Sequence, residues 1–130
     1  MSVVVAPDKF AGSLTAPQVA DAVAQGWRSV RPGDRVGCLP MSDGGPGFID
    51  ALAASLPGTA VRVGVRDPLG GPVTAECLVV DGSWYVESAQ AAGLALVPPA
   101  RRDPGRVTTR GVGELLAAAV AADARTIVVG

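Results

Sequence analysis

The sequence contains no histidine and a single lysine, Lys9. Without histidine the chain can supply no imidazole base, no serine–histidine pair and no histidine-rich zinc site. Any chemistry it contributes must therefore use carboxylates, hydroxyls, backbone amides and cations, and every cationic side chain except Lys9 is an arginine. A lone lysine in a loop invites a functional interpretation, although a bias toward arginine codons would explain its rarity equally well.

Charge runs and long apolar runs are also missing. Eleven basic and twelve acidic side chains give a formal net charge of −1, which argues against nucleic-acid or membrane partners and favours a small molecule. No apolar run approaches the roughly 20 residues of a membrane span, and the start lacks the basic flank of a signal peptide. We therefore expect a cytoplasmic protein. Cys38 and Cys77 stand in unlike contexts, so we expect free buried thiols rather than a disulfide or metal pair.

Strand-like and helix-like segments alternate up to Leu56, in a chain of 130 residues that is 48% apolar. Residues 3–6 are typical of a strand buried on both faces. Residues 35–39 predict a second strand, and residues 48–56 predict a helix after it. This alternation favours right-handed crossovers and predicts an α/β protein with a Rossmann-like parallel sheet and helices on both faces.

The first helix has clear signals at both ends. Thr15, followed by Gln18 three residues later, predicts a capping box, and Pro32-Gly33 predicts an end near Arg31. Four large apolar residues recur between these signals at helical spacing and predict the buried face: Val19, Val23, Trp27 and Val30.

The pattern changes after Pro57-Gly58. Residues 61–66 alternate apolar and polar side chains, and two further strands flank Asp81-Gly82, a two-residue hairpin signal. A helix is predicted for residues 113–122 and one more buried strand for residues 126–129.

These patterns predict two domains. We expect residues 1–58 to begin a Rossmann-like domain and residues 59–130 to begin a second, inserted α/β domain with antiparallel strands. The sequence stops after a strand, where α/β proteins usually begin a ligand-binding loop, so we expect a piece of a longer chain.

The first two loops that join a strand to a helix carry chemically useful residues at a place where free amides favour anions. Residues 7–13 include Asp8, Lys9 and Ser13, although no Walker motif is present and a solvated connection is the alternative. Residues 42–47 combine Asp43 with three glycines, Gly44 and Gly45 among them. Asp43 is a candidate for holding Mg²⁺ or accepting a hydroxyl proton, whereas the alternative is a tight turn.

A third loop, residues 108–114, has the same composition. It contains Thr109, Gly111 and Glu114, with an ordinary helix cap as the alternative. Glu87 ends a strand before a run of small residues and is either a buried group at a site or a surface strand end. Three loops suited to bind anions, in a chain that has no histidine, favour phosphoryl transfer. In that reaction a protein mainly positions groups and neutralises charge.

Five segments resemble motifs of the bacterial glycerate kinase family, in the family's order. Residues 6–15, APDKFAGSLT, closely resemble its opening motif APDKFKGSLTA. The other four resembling segments are residues 42–45 (SDGG), 65–73 (VRDPLGGPV), 87–94 (ESAQAAGL) and 108–115 (TTRGVGEL).

The resemblance implies a longer two-domain enzyme with its active site in the cleft between the domains. It implies transfer of the γ-phosphate of ATP to D-glycerate with Mg²⁺, 2-phosphoglycerate being favoured over 3-phosphoglycerate. It assigns catalysis to Lys9 and Asp43, with Asp43 also a possible Mg²⁺ ligand. Substrate or phosphate binding is assigned to Asp8, Ser13, Gly44, Gly45, Glu87, Thr109, Gly111 and Glu114.

Some positions depart from the family motifs. Ala11 replaces a second lysine, Pro46 and Phe48 replace a glutamate and a threonine after the DGG, and Ser88 stands where methionine is common. The family's following segment, GGSATNDGG, is missing. These departures imply reduced activity or a shifted sugar-acid substrate. The alternative to an enzyme is a non-catalytic fragment or degenerate copy that acts as a binding or pairing module, by homo-oligomerisation or association with the remainder of the chain.

Overall fold

The computed structural model describes all residues from 1 to 130, with six strands and four α-helices. In chain order these are β1 (Ser2–Val5), α1 (Ala16–Val30), β2 (Arg35–Cys38), α2 (Phe48–Ala53), β3 (Thr59–Arg66), β4 (Pro72–Val80), β5 (Ser83–Val86), α3 (Ala89–Ala92), α4 (Arg110–Ala121) and β6 (Thr126–Val129). Two short 3-10 turns connect α3 to α4. None of the helices has the length and apolar character that crossing a membrane requires.

The strands form two sheets. Strands β1 and β2 pair in parallel, with Ser2 opposite Arg35 and Val5 opposite Cys38. The second sheet has the order β3-β4-β5-β6, antiparallel through its first three strands and parallel between β5 and β6. The predicted α/β class is therefore confirmed, whereas the division into domains near residue 58 stays a prediction.

Helix α1 begins and ends where its local signals predict, but it buries a different face. The Thr15 hydroxyl accepts the Gln18 backbone N–H at 3.4 Å, and the Gln18 side chain accepts the Thr15 N–H at 2.9 Å. Its buried residues are Ala16, Val19, Ala20 and Ala24. Val23 and Val30 are 49% and 77% exposed, so the predicted face is wrong at these positions. Alanines allow the helix to pack closely against neighbouring elements, which turns the larger valines outward.

Strands β1 and β6 are less buried than predicted. Val5 is buried but Val4 is 68% exposed, so only one face of β1 is packed. In β6, Val128 and Val129 are exposed because this strand lies at the edge of its sheet. The expectation that both strands are fully buried is therefore wrong, because β1 packs on one face only and β6 is an edge strand. The expectation of two buried thiols is wrong for Cys38, which ends β2 and is exposed, whereas Cys77 is buried as predicted.

The main core lies against the four-stranded sheet. It combines β-sheet residues with residues of α3 and α4, namely Val65, Ala75, Cys77, Trp84, Val86, Ala91, Leu115 and Ala119. The β4–β5 hairpin is closed by Asp81 and Gly82, both with positive φ (48° and 76°). This conformation confirms the predicted two-residue turn, in which glycine and aspartate tolerate the left-handed backbone.

Candidate active site at the carboxyl ends of β1 and β2

Because β1 and β2 are parallel, the loops that follow them lie side by side. The Met41 backbone N–H donates to the Pro7 carbonyl at 2.8 Å and ties the two loops together. The Lys9 ammonium lies 3.5 Å from Asp43 Oδ1 and 3.9 Å from Asp8 Oδ1. The structure therefore brings together the two residues that the sequence predicts as catalytic.

Asp43 presents an ionised carboxylate to solvent, and its side chain is 71% exposed. Its Oδ1 accepts the Gly45 backbone N–H at 2.9 Å. This hydrogen bond, followed by the charge of Lys9, holds the pKa of Asp43 below its ordinary value of 3.8. The tight turn that the sequence offered as the alternative is thus present, and it leaves the carboxylate exposed to a ligand.

Two neighbouring glycines, Gly44 and Gly45, favour a small residue in the Asp43 loop for different reasons. Gly44 has a φ of 92°, a left-handed conformation that other residues rarely adopt. A Cβ atom on Gly45 would lie 3.0 Å from Asp43 Oδ1 and 3.7 Å from the Lys9 nitrogen. A side chain there would crowd the ion pair, so this loop keeps its backbone amides close to both charges.

Asp8 and Ser13 shape the first loop. Asp8 Oδ1 accepts the Lys9 backbone N–H at 2.6 Å, and the Ser13 hydroxyl donates to the Phe10 carbonyl at 3.0 Å. A shallow cavity of about 280 Å³ lies between the two loops and is lined from Lys9 to Thr15 and by Pro46, Gly47 and Asp50. Lys9 and Ser13 therefore border the same cavity.

Glu87 is buried, with only 5% of its surface exposed, which rules out the surface strand end. Its Oε2 accepts the Ile49 backbone N–H at 3.1 Å. Ile49 lies in the first turn of α2, directly after the Asp43 loop. Glu87 thus connects the four-stranded sheet to the element that follows Asp43.

The third predicted group lies apart from the Lys9 pair. Glu114 accepts the Arg66 backbone N–H at 2.9 Å and pairs with the Arg110 guanidinium at 3.0 Å, beside a depression of about 760 Å³. A Cβ atom on Gly111 would lie 1.9 Å from the Arg66 carbonyl oxygen, so this glycine permits close helix–strand packing. Thr109 lines a separate cavity of about 560 Å³. No hydrogen bond or ion pair joins these residues to Lys9 or Asp43.

Gly130 is a site neighbour that sequence patterns missed. A Cβ atom on Gly130 would lie 2.9 Å from the Gly44 carbonyl oxygen and 2.7 Å from the Phe48 ring. Its own carbonyl accepts the Ser88 backbone N–H at 2.8 Å. The end of β6 therefore packs against the Asp43 loop, and a glycine directly after a strand is the sequence signal that points to such an approach.

Residues 3–130 match the profile of the glycerate kinase family. The chain belongs to the glycerate kinase family. It is 41% identical to a glycerate kinase of Bacillus subtilis (strain 168) and 39% identical to a glycerate 2-kinase of Escherichia coli (strain K12). In each case the alignment covers 100% of this chain and 35% of the relative, so the chain spans about a third of their length.

The fold agrees with a crystal structure from Salmonella typhimurium LT2 that is assigned as glycerate kinase 2. The TM-score is 0.83 at 40% sequence identity, over 100% of this chain and 35% of that chain. The predicted membership of the glycerate kinase family and the predicted fold class are thereby confirmed.

The departures from the glycerate kinase motifs cluster around the candidate site. Ala11 and Pro46 both line the cavity beside Lys9. Phe48 packs its ring against Gly130, and the backbone of Ser88 bonds to the same residue. Two of the four departures, Ala11 and Pro46, therefore lie in the wall of the cavity, and the other two lie beside Gly130.

Proposed function

We propose that this chain forms part of an ATP-dependent glycerate kinase that phosphorylates D-glycerate, with the 2-hydroxyl favoured over the 3-hydroxyl. The observation that carries the proposal is the Lys9–Asp43 pair, 3.5 Å apart, between the loops that follow β1 and β2. Relatives named glycerate kinase and glycerate 2-kinase support the substrate and the position of transfer.

Lys9 supplies the positive charge in this reaction. Phosphoryl transfer spreads negative charge over the phosphoryl oxygens, and a fixed cation stabilises that charge in the transition state. The Lys9 side chain is 24% exposed, so its ammonium is partly shielded from water yet open to a ligand. Substrate or phosphate binding is proposed for four residues near the Lys9–Asp43 pair: Asp8, Ser13, Gly44 and Gly45.

Asp43 is proposed to accept the proton of the attacking hydroxyl. The hydroxyl oxygen forms a bond to the γ-phosphorus, the bond from that phosphorus to the β–γ bridging oxygen breaks, and ADP leaves. The lowered pKa keeps Asp43 ionised across the physiological pH range, so its carboxylate can accept a hydrogen bond from the hydroxyl and orient it. The proton passes to Asp43 as the new bond to phosphorus forms.

The donor set fits a magnesium ion that is held partly by substrate. No group of three or more Asp, Glu, His or Cys side chains forms a complete metal cage in this chain. Mg²⁺ usually needs only one or two carboxylates, with phosphate oxygens and water completing its shell. Asp43 would hold the ion, with Asp8 nearby, and the ion would neutralise phosphate charge.

A second candidate function is a non-catalytic binding or pairing module, through homo-oligomerisation or association with other polypeptide. Exposed apolar side chains at Val4, Val23 and Val30 favour this alternative. A cytoplasmic location and the lack of nucleic-acid and membrane partners stay predictions.

The test is an assay of the full-length protein with D-glycerate and ATP, with and without Mg²⁺. We expect ADP and a phosphoglycerate only when Mg²⁺ is present, and phosphorus NMR of the product separates the 2- from the 3-phosphate. A reaction without glycerate measures background ATP hydrolysis. Full turnover in excess chelator would contradict the role of magnesium, and no turnover of glycerate would favour the binding module.

A further inference from the structure

The C-terminal end of the Asp43 loop is closed by a backbone turn, in which the Phe48 N–H donates to the Gly45 carbonyl at 3.1 Å, but it has no side-chain cap. Gly47, the N-cap of α2, has a φ of 93° and no side chain that could cap the helix. Ile49 lies in the first turn of α2 and is only 3% exposed, so its backbone N–H is shielded from water. A buried backbone donor needs a hydrogen-bond partner, and none of the loop's own side chains provides one.

Glu87 provides that partner from a distant part of the chain. Its carboxylate accepts the Ile49 N–H at 3.1 Å across 38 residues of sequence. Glu87 follows β5 directly, and β5 lies in the interior of the four-stranded sheet, between β4 and β6. The carboxylate therefore extends from the four-stranded sheet, whereas the loop it contacts follows a strand of the two-stranded sheet.

A second interaction between the same segment and the Asp43 loop runs through the backbone of Ser88. The Ser88 N–H binds the Gly130 carbonyl at 2.8 Å, and Gly130 packs against Gly44 in the middle of the Asp43 loop. Glu87 and Ser88 thus hold this loop at two points, one through a side chain and one through the backbone. The side-chain tie alone can be removed by mutation without changing the backbone.

We propose that Glu87 is a positioning residue that holds the Asp43 loop in its reactive geometry by accepting the Ile49 N–H. The catalytic part of this proposal rests on the proposed kinase function. It differs from the substrate or phosphate binding that the family resemblance implies for Glu87. A carboxylate that is 5% exposed and already accepts a hydrogen bond offers little surface to a phosphate and repels its negative charge.

The test uses three substitutions in the full-length protein. Glu87→Gln keeps an oxygen that can accept the Ile49 N–H, Glu87→Asp keeps the charge but shortens the reach, and Glu87→Ala removes both. Gln90→Ala is the matched control, because Gln90 accepts the Glu76 N–H at 2.7 Å in the same segment without touching α2.

We expect Glu87→Gln to retain kcat within about threefold, and Glu87→Asp and Glu87→Ala to lower kcat roughly 100-fold with little change in KM, the scale of a misplaced catalytic group. Amide hydrogen exchange of residues 43–53 should rise at least ~10-fold in Glu87→Asp and Glu87→Ala. Glu87→Gln and Gln90→Ala should leave exchange in this segment unchanged. If Glu87→Ala does not fold, Glu87→Asp takes its place.

Two results would overturn the proposal. One is normal exchange of residues 43–53 in Glu87→Asp. The other is a Glu87→Gln variant with low kcat and unchanged exchange, which would assign Glu87 a role through its charge. Exchange does not depend on turnover, so a wild-type protein without kinase activity would refute the proposed function and still leave the anchoring role measurable.

Discussion

The Lys9 ammonium lies 3.5 Å from the Asp43 carboxylate, although the two residues belong to loops after different strands. The parallel pairing of β1 with β2 creates this contact, because it places the carboxyl ends of both strands at one edge.

Removing the charge of Lys9 should impair catalysis without unfolding the protein. We expect Lys9→Met to lower kcat/KM of the full-length enzyme at least ~100-fold, the scale of losing one group that stabilises a transition state. Arg106→Met is the matched control, since Arg106 is exposed and forms no ion pair or side-chain hydrogen bond. Circular dichroism should show the same fold for both variants. Near-normal turnover of Lys9→Met would assign Lys9 to the solvated loop instead.

The pKa of Asp43 should depend on Lys9. It lies below 3.8 because of the Gly45 N–H first and Lys9 second, so Lys9→Met should raise it partway toward that value. A lowered folded pKa stabilises the fold above the unfolded pKa, and this contribution is lost as the pH falls through the folded pKa. Carboxyl carbon NMR across pH 2 to 6 would measure the titration.

Asp34 provides the control for this titration. Its pKa is lowered mainly by the hydrogen bond from the N-terminal ammonium, 3.0 Å away, with contributions from Trp27 and Arg31. Because Asp34 lies at the opposite end of β2, Lys9→Met should leave its titration unchanged. An equal shift of Asp34 and Asp43 would contradict a specific Lys9–Asp43 interaction.

Substitution by alanine should change the free energy of unfolding differently at two glycines of α4. A Cβ on Gly111 would lie 1.9 Å from the Arg66 carbonyl, so Gly111→Ala must separate α4 from β3 and should cost about 1–3 kcal/mol. Gly113 has no atom within 4 Å of its Cβ position, and Gly113→Ala should be neutral or stabilise by up to about 1 kcal/mol. Urea denaturation measures both. Equal changes in stability for the two variants would contradict the close packing of Gly111 against the Arg66 carbonyl.

A polypeptide of residues 1–130 alone should self-associate and lack kinase activity. Val4, Val23 and Val30 are exposed, and β6 ends its sheet with an unpaired edge, features that promote association. Size-exclusion chromatography with light scattering should show species larger than 13.0 kDa. A monomer that phosphorylates glycerate would contradict this prediction and assign the whole active site to these residues.

Local patterns predicted most elements because their signals act within a few residues. The capping box at Thr15 and the hairpin at Asp81-Gly82 are confirmed at the predicted residues. Helix α4 begins at Arg110, three residues before the prediction, and α2 ends at Ala53 rather than Leu56. Helix α3 was missed because it has only four residues, three alanines and a glutamine, which carry no periodic signal.

The sequence by itself determined the class of fold, the family and the order of all the strands and of every α-helix except α3, and it excluded imidazole chemistry from these 130 residues. Only the tertiary structure decided which apolar residues are buried, because Val4 and Val30 match core patterns yet lie on open faces. It also decided that Glu87 binds the Ile49 N–H, a contact across 38 residues that no local signal encodes. Such contacts depend on how strands and helices pair in space, and that pairing depends on the sum of packing over the whole chain.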